Sequence, residues 1–334
     1  MKLVLFAGAA AAFALLGSVQ AQQPVVIKFS HVVTDDTPKG KGAIRFKELA
    51  EAKTSGRVKV EIYPNSQLYK DREELEALQL GAVQMLAPSV SKFGPLGVRK
   101  FEVFDLPYMF ADESSLERVV EGPVGTGLFQ LLEPKGIVGL AYWFNGFKEF
   151  SANKPLKKLD DFKGLKIRIQ SSKILEGEIK AFGAIPQVMA FSEVYTALQQ
   201  GVVDGEENTP SNKYTQKMHE VQKHMTMSDH GVVMYAVVVN KKFWDGLPAD
   251  IRKSLVEAMA ESTKYVWDIA KKENEDALAK IKAAKTTEVY VLPAAEKAAW
   301  RKAMLPLYRE HESVVGKDTL ESIEKTVAQS SSKK

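Results

Sequence analysis

The chain has 334 residues, 45% of them hydrophobic, and it contains no cysteine. The lack of cysteine excludes disulfides, thiolate metal sites and thiol nucleophiles, and a chain of this length can bury a large apolar core, most naturally in two domains. The formal net charge of +4 is too small for a nucleic-acid-binding protein, although it suits small anionic ligands.

The N-terminus has the pattern of a secretory signal. Lys2 is followed by roughly 17 uncharged residues, fewer than the roughly 20 that a membrane span needs, and Val19 and Ala21 are small residues at the positions that a signal peptidase reads. We therefore predict a signal peptide over residues 1–21 and a periplasmic mature protein that begins at Gln22 and does not span the membrane. A retained N-terminal anchor is the alternative.

Strands and helices alternate along most of the chain. Strands are predicted at residues 25–31, 58–64, 83–89, 136–144, 165–170, 186–190 and 286–292, and helices at residues 37–56, 71–81, 173–183 and 191–201. Thr37 is expected to cap the first helix and Pro38 to begin it. This alternation predicts an α/β fold with mostly parallel sheets that helices cover on both faces.

A long helix is predicted over residues 248–285, where apolar residues such as Ile251, Leu255 and Met259 recur at helical spacing. Unbroken, this helix would be about 55 Å long, which is enough to cross two domains. The alternative is a pair of helices with a kink at residues 271–274.

The common signatures of enzymes are missing from the sequence. His219 and His224 are five residues apart rather than the four of a zinc-protease helix, and there is neither a serine nucleophile elbow nor a phosphate-binding loop. We therefore predict no catalytic residue, no metal and no cofactor. An exported lyase or hydrolase remains the rival class, with His31 as its only candidate base.

Polar and aromatic residues follow several of the predicted strands. Because ligands of open α/β sheets bind beyond the carboxyl ends of the strands, we expect these residues to converge. They are His31, Ser89, Lys148, Arg168, Phe191 and Asn208. The set describes a pocket for a carboxylate without a catalytic base. Each residue also has an ordinary structural explanation, such as a salt bridge for Arg168, a helix cap for Asn208 or a core position for Phe191.

The segments GLKIRIQ (164–170) and FGAIPQVMAFSEVYTALQQGVVDGEEN (182–208) resemble the periplasmic solute receptor of TRAP transporters, of the DctP type. The resemblance extends over nearly the whole mature chain. It implies a periplasmic binding protein fold, with two α/β domains around a hinged ligand cleft and a long helix spanning both. The domains it implies are residues 22–146 with 232–272, and residues 147–231 with 273–330.

The resemblance also implies roles for particular residues. Arg168 matches the family's arginine that pairs with the ligand carboxylate, and Asn208 matches the asparagine that assists it. A planar guanidinium suits this role because it meets both carboxylate oxygens. Lys148 occupies the position at which many members carry a second arginine. It keeps the positive charge but cannot contact both carboxylate oxygens as a guanidinium does. Pro88 occupies the position of an acidic residue in the sialic-acid receptors, which argues against sialic acid.

The stretch FSHVVTDDTPKGKGA (29–43) resembles the C4-dicarboxylate branch of the family, whose ligands include succinate, malate and fumarate. Such a ligand needs cations at both ends, and Lys39, Lys92 and Lys148 are the candidates beside Arg168. The partners implied are the small and large membrane subunits of the transporter. The alternatives are a monocarboxylate ligand (a 2-oxo acid, a sugar acid or an aromatic acid), and a sensory role in which the receptor docks on a different membrane protein.

Overall fold

The structure is a computed structural model that describes residues 23–331. The predicted signal peptide lies outside these residues. No helix within 23–331 is both long enough and apolar enough to cross a membrane.

Within residues 23–331, nine strands form one mixed sheet. They are β1 (Val25–Ser30), β2 (Val58–Tyr63), β3 (Met85–Leu86), β4 (Ile137–Ala152), β5 (Lys166–Ile169), β6 (Ile185–Val188), β7 (Gly205–Asn208), β8 (His224–Asn240) and β9 (Glu288–Val291). Their order is β2-β1-β3-β8-β4-β7-β5-β6, and β9 pairs with β8. The α/β class is confirmed, but the sheet is not mostly parallel at its centre. The outer strands pair in parallel, whereas β8 pairs antiparallel with β3 and β4.

The long strands β4 and β8 divide the sheet into two halves. The end of β8 and the start of β4 lie beside β3 and β1 in what we call the first half, and their other ends lie beside β7, β5 and β9 in the second half. The pairing of β4 with β8 shifts register between Phe144 and Gly146 and again between Lys148 and Phe150. The two halves are therefore joined by continuous paired strands with irregularities at the point of crossing.

In the described part of the chain, twelve α-helices accompany the sheet. They are α1 (Pro38–Lys53), α2 (Glu74–Gln79), α3 (Glu113–Glu121), α4 (Pro123–Gln130), α5 (Lys173–Ala181), α6 (Val194–Gln199), α7 (Pro210–Thr215), α8 (Met218–Val221), α9 (Lys241–Asp245), α10 (Ala249–Ala284), α11 (Ala294–Val315) and α12 (Lys317–Ser331). Short 3-10 helices add Val90–Lys92, Gly94–Leu96, Arg99–Asp105, Glu133–Lys135, Leu159–Phe162 and Phe191–Glu193. As predicted, α1 begins at Pro38, and the Thr37 side chain accepts a hydrogen bond from the Gly40 nitrogen.

The predicted long helix is confirmed as α10, a single helix of 36 residues, without the kink considered at residues 271–274. It packs against α1 in the first half and against α7 in the second. Asn274 ties this helix to the crossing strands, because its amide nitrogen donates to the Asn145 carbonyl at 2.6 Å and its amide oxygen accepts from the Ser211 nitrogen at 3.0 Å. One rigid element thus contacts both halves.

Each half has its own apolar core. The first half packs on both faces of its sheet, whereas the core of the second half is built around Phe150, Phe162 and Trp300. Leu320 and Ile323 of α12 belong to a first-half core, and α12 packs against α3. The C-terminal helix is therefore packed on the first half, although the sequence assigns residues 273–330 to the second domain.

Candidate functional site

The structure places all eight predicted site residues in the interior. They are His31, Lys39, Ser89, Lys92, Lys148, Arg168, Phe191 and Asn208, and none of them is more than 5% exposed. Four of them carry a basic side chain that is usually found at the surface. The ligand that the site can bind therefore depends on which of these four cations already have an acidic partner in the protein.

Arg168 is held by the alternation of its strand. Ile167 and Ile169 on β5 face the second-half core, which directs Arg168 to the opposite face of the sheet. Its Nε and Nη2 atoms both donate to the Met189 carbonyl, at 3.1 and 2.8 Å. Within residues 23–331, buried Nη1 has no hydrogen-bond partner and the guanidinium makes no ion pair. The Phe191 ring centre lies 5.8 Å from the guanidinium carbon.

Lys39 is the second buried cation without a carboxylate beside it. It lies in the first turn of α1, which approaches the preceding loop so closely that a Cβ on Gly40 would lie 2.4 Å from the Thr34 carbonyl oxygen. The Lys39 Nζ donates to the Ala87 carbonyl at 3.0 Å and stands 3.7 Å from the centre of the Tyr235 ring. No described residue forms an ion pair with it. Burial lowers its pKa to about 7, although Glu74 opposes the shift.

Lys92 has acidic partners of its own. It forms ion pairs with Asp71 and, at 3.0 Å, with Glu74. Burial raises the pKa of Glu74 to about 8, although the charge of Lys39 opposes the shift. Burial lowers the pKa of Lys92, and the charges of Lys39 and Arg168 add to that effect. Lys39, Lys92 and Arg168 are therefore close enough for the charges of Lys39 and Arg168 to affect Lys92.

Lys148 is also matched within the protein. Its Nζ lies 3.0 Å from Glu207, and both side chains are buried. Burial alone would lower the pKa of Lys148, but Glu207, Asp105 and Glu178 outweigh it and raise the pKa. The structure thus brings Lys148 close to the site but directs its charge to carboxylates of the protein.

The neutral residues complete the site. Asn208 accepts a hydrogen bond from Asn212 at 2.8 Å through its side-chain oxygen, while its amide nitrogen makes none with the described residues. Both ring nitrogens of His31 are buried without a hydrogen bond to any residue of the described chain, and burial, followed by the charge of Lys39, lowers its pKa to about 3. Burial therefore disfavours the protonated form of His31.

The two halves touch each other across the site. Ser89 of the first half donates to the side-chain oxygen of Gln170 at 2.9 Å, and the Phe191 nitrogen of the second half donates to Asp71. At the rim, Lys70 pairs with Glu193 at 3.1 Å. A cavity of about 630 Å³ adjoins these contacts and is lined by both Lys92 and Arg168. The two halves are therefore closed against each other around Arg168, and neither Lys39 nor Asn208 lines this cavity.

Sequence reasoning missed two residues of this site, Tyr235 and Asn212. Tyr235 lies on β8, and its hydroxyl accepts a hydrogen bond from Asn212 at 3.2 Å. Asn212 lies four residues after Asn208, in the first turn of α7, and no pattern in the sequence indicates its contact with Tyr235. Within residues 23–331 no three acidic or histidine side chains are grouped as a metal site.

Comparison with known proteins gives the family. Residues 29–313 match DctP, the bacterial extracellular solute-binding protein, family 7. The C4-dicarboxylate-binding periplasmic protein DctP of Rhodobacter capsulatus is 62% identical over 321 residues, which cover 96% of either chain.

Solved structures agree with this match. A TRAP periplasmic solute binding protein from Shewanella oneidensis with bound succinate is 45% identical, with a TM-score of 0.88 over 91% of this chain and 99% of that one. A second, from Pseudomonas aeruginosa with bound L-malate, is 44% identical, with a TM-score of 0.84 over 86% of this chain and 100% of that one. The resemblance to TRAP receptors is confirmed, and the chain belongs to the DctP family of bacterial extracellular solute-binding proteins.

Proposed function

We propose that this chain is the periplasmic receptor of a TRAP transporter and that it captures a four-carbon dicarboxylate, such as succinate, malate or fumarate, between its two halves. It then presents the ligand to the small and large membrane subunits of the transporter. The signal peptide over residues 1–21 would bring it to the periplasm.

One observation supports a dicarboxylate above all. Arg168 and Lys39 are both buried, and both have carbonyl oxygens rather than carboxylates as partners. A buried charge without a counterion is costly, so an anion that neutralises both would be favoured. The other two cations, Lys92 and Lys148, already have acidic partners. Two positive charges that form no ion pair with any residue of the described chain suit a ligand with two negative charges.

Each site residue has a separate role in binding the ligand. Arg168 receives one carboxylate through its free Nη1, with Asn208 donating to the same ligand from the neighbouring strand. Lys39 binds the second carboxylate. Lys92 does not contact the ligand in this scheme, because it is paired with Asp71 and Glu74, but it adds to the positive potential of the site. Charge-assisted hydrogen bonds contribute about 1.5–3 kcal/mol each. Three or four of them would supply the roughly 8 kcal/mol of a micromolar ligand.

The cleft is proposed to open about the crossing of β4 and β8. The register shifts at residues 144–150 support domain boundaries near Gly146 and Gly231, as the sequence predicts. Helix α12 packs on the first half, so we propose that it moves with that half. Binding involves no bond making, and the low pKa of His31 supports a receptor rather than a lyase or hydrolase.

The direct test is a thermal-shift screen of the mature chain, residues 22–334, against succinate, malate, fumarate, pyruvate, a sugar acid and an aromatic acid. A ligand at about 100 times its dissociation constant adds about 2.7 kcal/mol of stability, which raises the melting temperature measurably. We expect only the four-carbon diacids to do so. A larger shift with a monocarboxylate would replace the dicarboxylate with that alternative, and no shift with any acid would contradict the proposal.

Binding should also depend on pH through Lys39, whose pKa burial lowers to about 7 in the closed cleft. Below that pH the lysine is already charged. Above it, the ligand must bind together with a proton, so the dissociation constant should rise by up to about tenfold per pH unit. Calorimetry between about pH 6 and about pH 9 measures this slope. In Lys39→Arg the guanidinium keeps its proton, so the slope should vanish; the same slope in both proteins would contradict this role for Lys39.

A further inference from the structure

Tyr235 contacts ligand-site residues of both halves of the molecule. It lies on the part of β8 that pairs with β4 in the first half, opposite Trp143. Its side chain is 3% exposed. The ring supports the Lys39 ammonium from a distance of 3.7 Å, and the hydroxyl accepts a hydrogen bond from Asn212 at 3.2 Å.

The hydroxyl contact crosses the cleft. Asn212 lies on α7, directly after β7 in the second half, and the same amide nitrogen that reaches Tyr235 also donates to the Asn208 oxygen at 2.8 Å. A continuous path therefore runs from Lys39 over the Tyr235 ring and hydroxyl to Asn212 and Asn208. The link between the halves in this path is the hydrogen bond from Asn212 to the Tyr235 hydroxyl, and it can form only when the cleft is closed.

Each link has a separate effect on the ligand site. The ring favours the charged form of Lys39, since a cation over an aromatic face is stabilised most where water is excluded. The hydroxyl occupies one Asn212 hydrogen, which fixes the Asn208 amide with its oxygen already used and its nitrogen free to donate. Tyr235 thus sets the position of a cation in one half relative to that of a donor in the other.

We propose that Tyr235 is a positioning residue that determines the preference for a dicarboxylate over a monocarboxylate of the same length. This inference rests on the proposed function, because it takes Arg168 as the anchor of one carboxylate and Lys39 as the anchor of the other. Its ring acts on the second carboxylate through Lys39, and its hydroxyl acts on closure through Asn212.

Two substitutions separate the ring from the hydroxyl. Tyr235→Phe keeps the ring and removes the hydroxyl, so succinate binding should weaken about fivefold, the equivalent of one neutral hydrogen bond, while the ratio of succinate to butyrate affinity stays as in the unmodified protein. Tyr235→Leu removes both, so that ratio should fall a further threefold to tenfold, as expected for the loss of a partly desolvated cation–π contact. Calorimetric titration with the two acids measures both quantities.

A double-mutant cycle tests the hydroxyl even if the leucine variant fails to fold. Tyr235→Phe and Asn212→Ala should each weaken succinate binding, and the pair together should weaken it no more than the stronger of the two, because both remove the same hydrogen bond between Asn212 and the Tyr235 hydroxyl. Losses that simply add would overturn the link across the cleft. An unchanged ratio in Tyr235→Leu would overturn the role of the ring. Arg168→Ala, measured in parallel, separates these outcomes from failure of the proposed function, since undiminished binding in that variant would remove the carboxylate anchor itself.

Discussion

Replacing Arg168 by alanine is expected to weaken succinate binding by about 2–5 kcal/mol, or roughly 25-fold to several thousandfold, because a carboxylate would be left unpaired in a buried site. The guanidinium is fixed by two hydrogen bonds to the Met189 carbonyl, through Nε and Nη2. Arg168→Lys should also bind clearly more weakly, since an ammonium cannot make the bidentate contact. Isothermal titration calorimetry measures both.

Arg72→Ala is the matched control for Arg168→Ala. Arg72 lines the same cavity but is exposed to solvent, so its removal changes the charge of the cleft by the same amount without unpairing a ligand. We expect at most a small effect on affinity. If both variants lost affinity equally, the overall positive potential of the cleft would explain binding, and the proposed direct pairing of the ligand with Arg168 would be contradicted.

Replacing Lys148 by methionine should instead destabilise the empty receptor. Its ammonium neutralises Glu207 at 3.0 Å in a region that also holds Asp105 and Glu178. Breaking a buried ion pair by removing one partner costs about 3–5 kcal/mol. Urea unfolding without ligand measures this loss, and the double variant Lys148→Met with Glu207→Gln should recover much of it because no uncompensated carboxylate remains.

The result for Lys148 also decides between its two roles. The sequence resemblance suggests a ligand contact, whereas the structure directs the ammonium to Glu207. If the single variant unfolds at the same urea concentration as the unmodified protein but loses affinity for succinate more than for butyrate, Lys148 serves the second carboxylate. A stability loss that the double variant relieves would assign it to the support of the site.

The sequence predicted the elements whose patterns are local. The alternation in β5 indicated that Arg168 faces away from the core, and the apolar spacing over residues 248–285 indicated α10 with nearly correct ends. The ligand-binding roles predicted for Arg168 and Asn208 come from the family motif, because no local pattern indicates them.

The strand β8 was missed for a physical reason. Met234 and Ala236 face one core of the first half, whereas Tyr235 and Val237 face the other, so the strand is apolar on both sides and lacks the alternation of a half-buried strand. Tyr235 was missed with it.

The sequence likewise does not indicate which of the three lysines have acidic partners. Lys39, Lys92 and Lys148 are equivalent in sequence pattern. Tertiary contacts distinguish them, because within residues 23–331 Lys92 and Lys148 form ion pairs with acidic residues and Lys39 does not.

The crossing of β4 and β8 has a consequence for the thermodynamics of capture. A pair of domains on a flexible tether must give up much orientational freedom when it closes, and that loss subtracts from affinity. Here the connection is a pair of hydrogen-bonded strands, braced by one unbroken helix. Such a joint bends in few directions, so little freedom is left to lose on closure. More of the interaction energy with a very small ligand then remains as affinity.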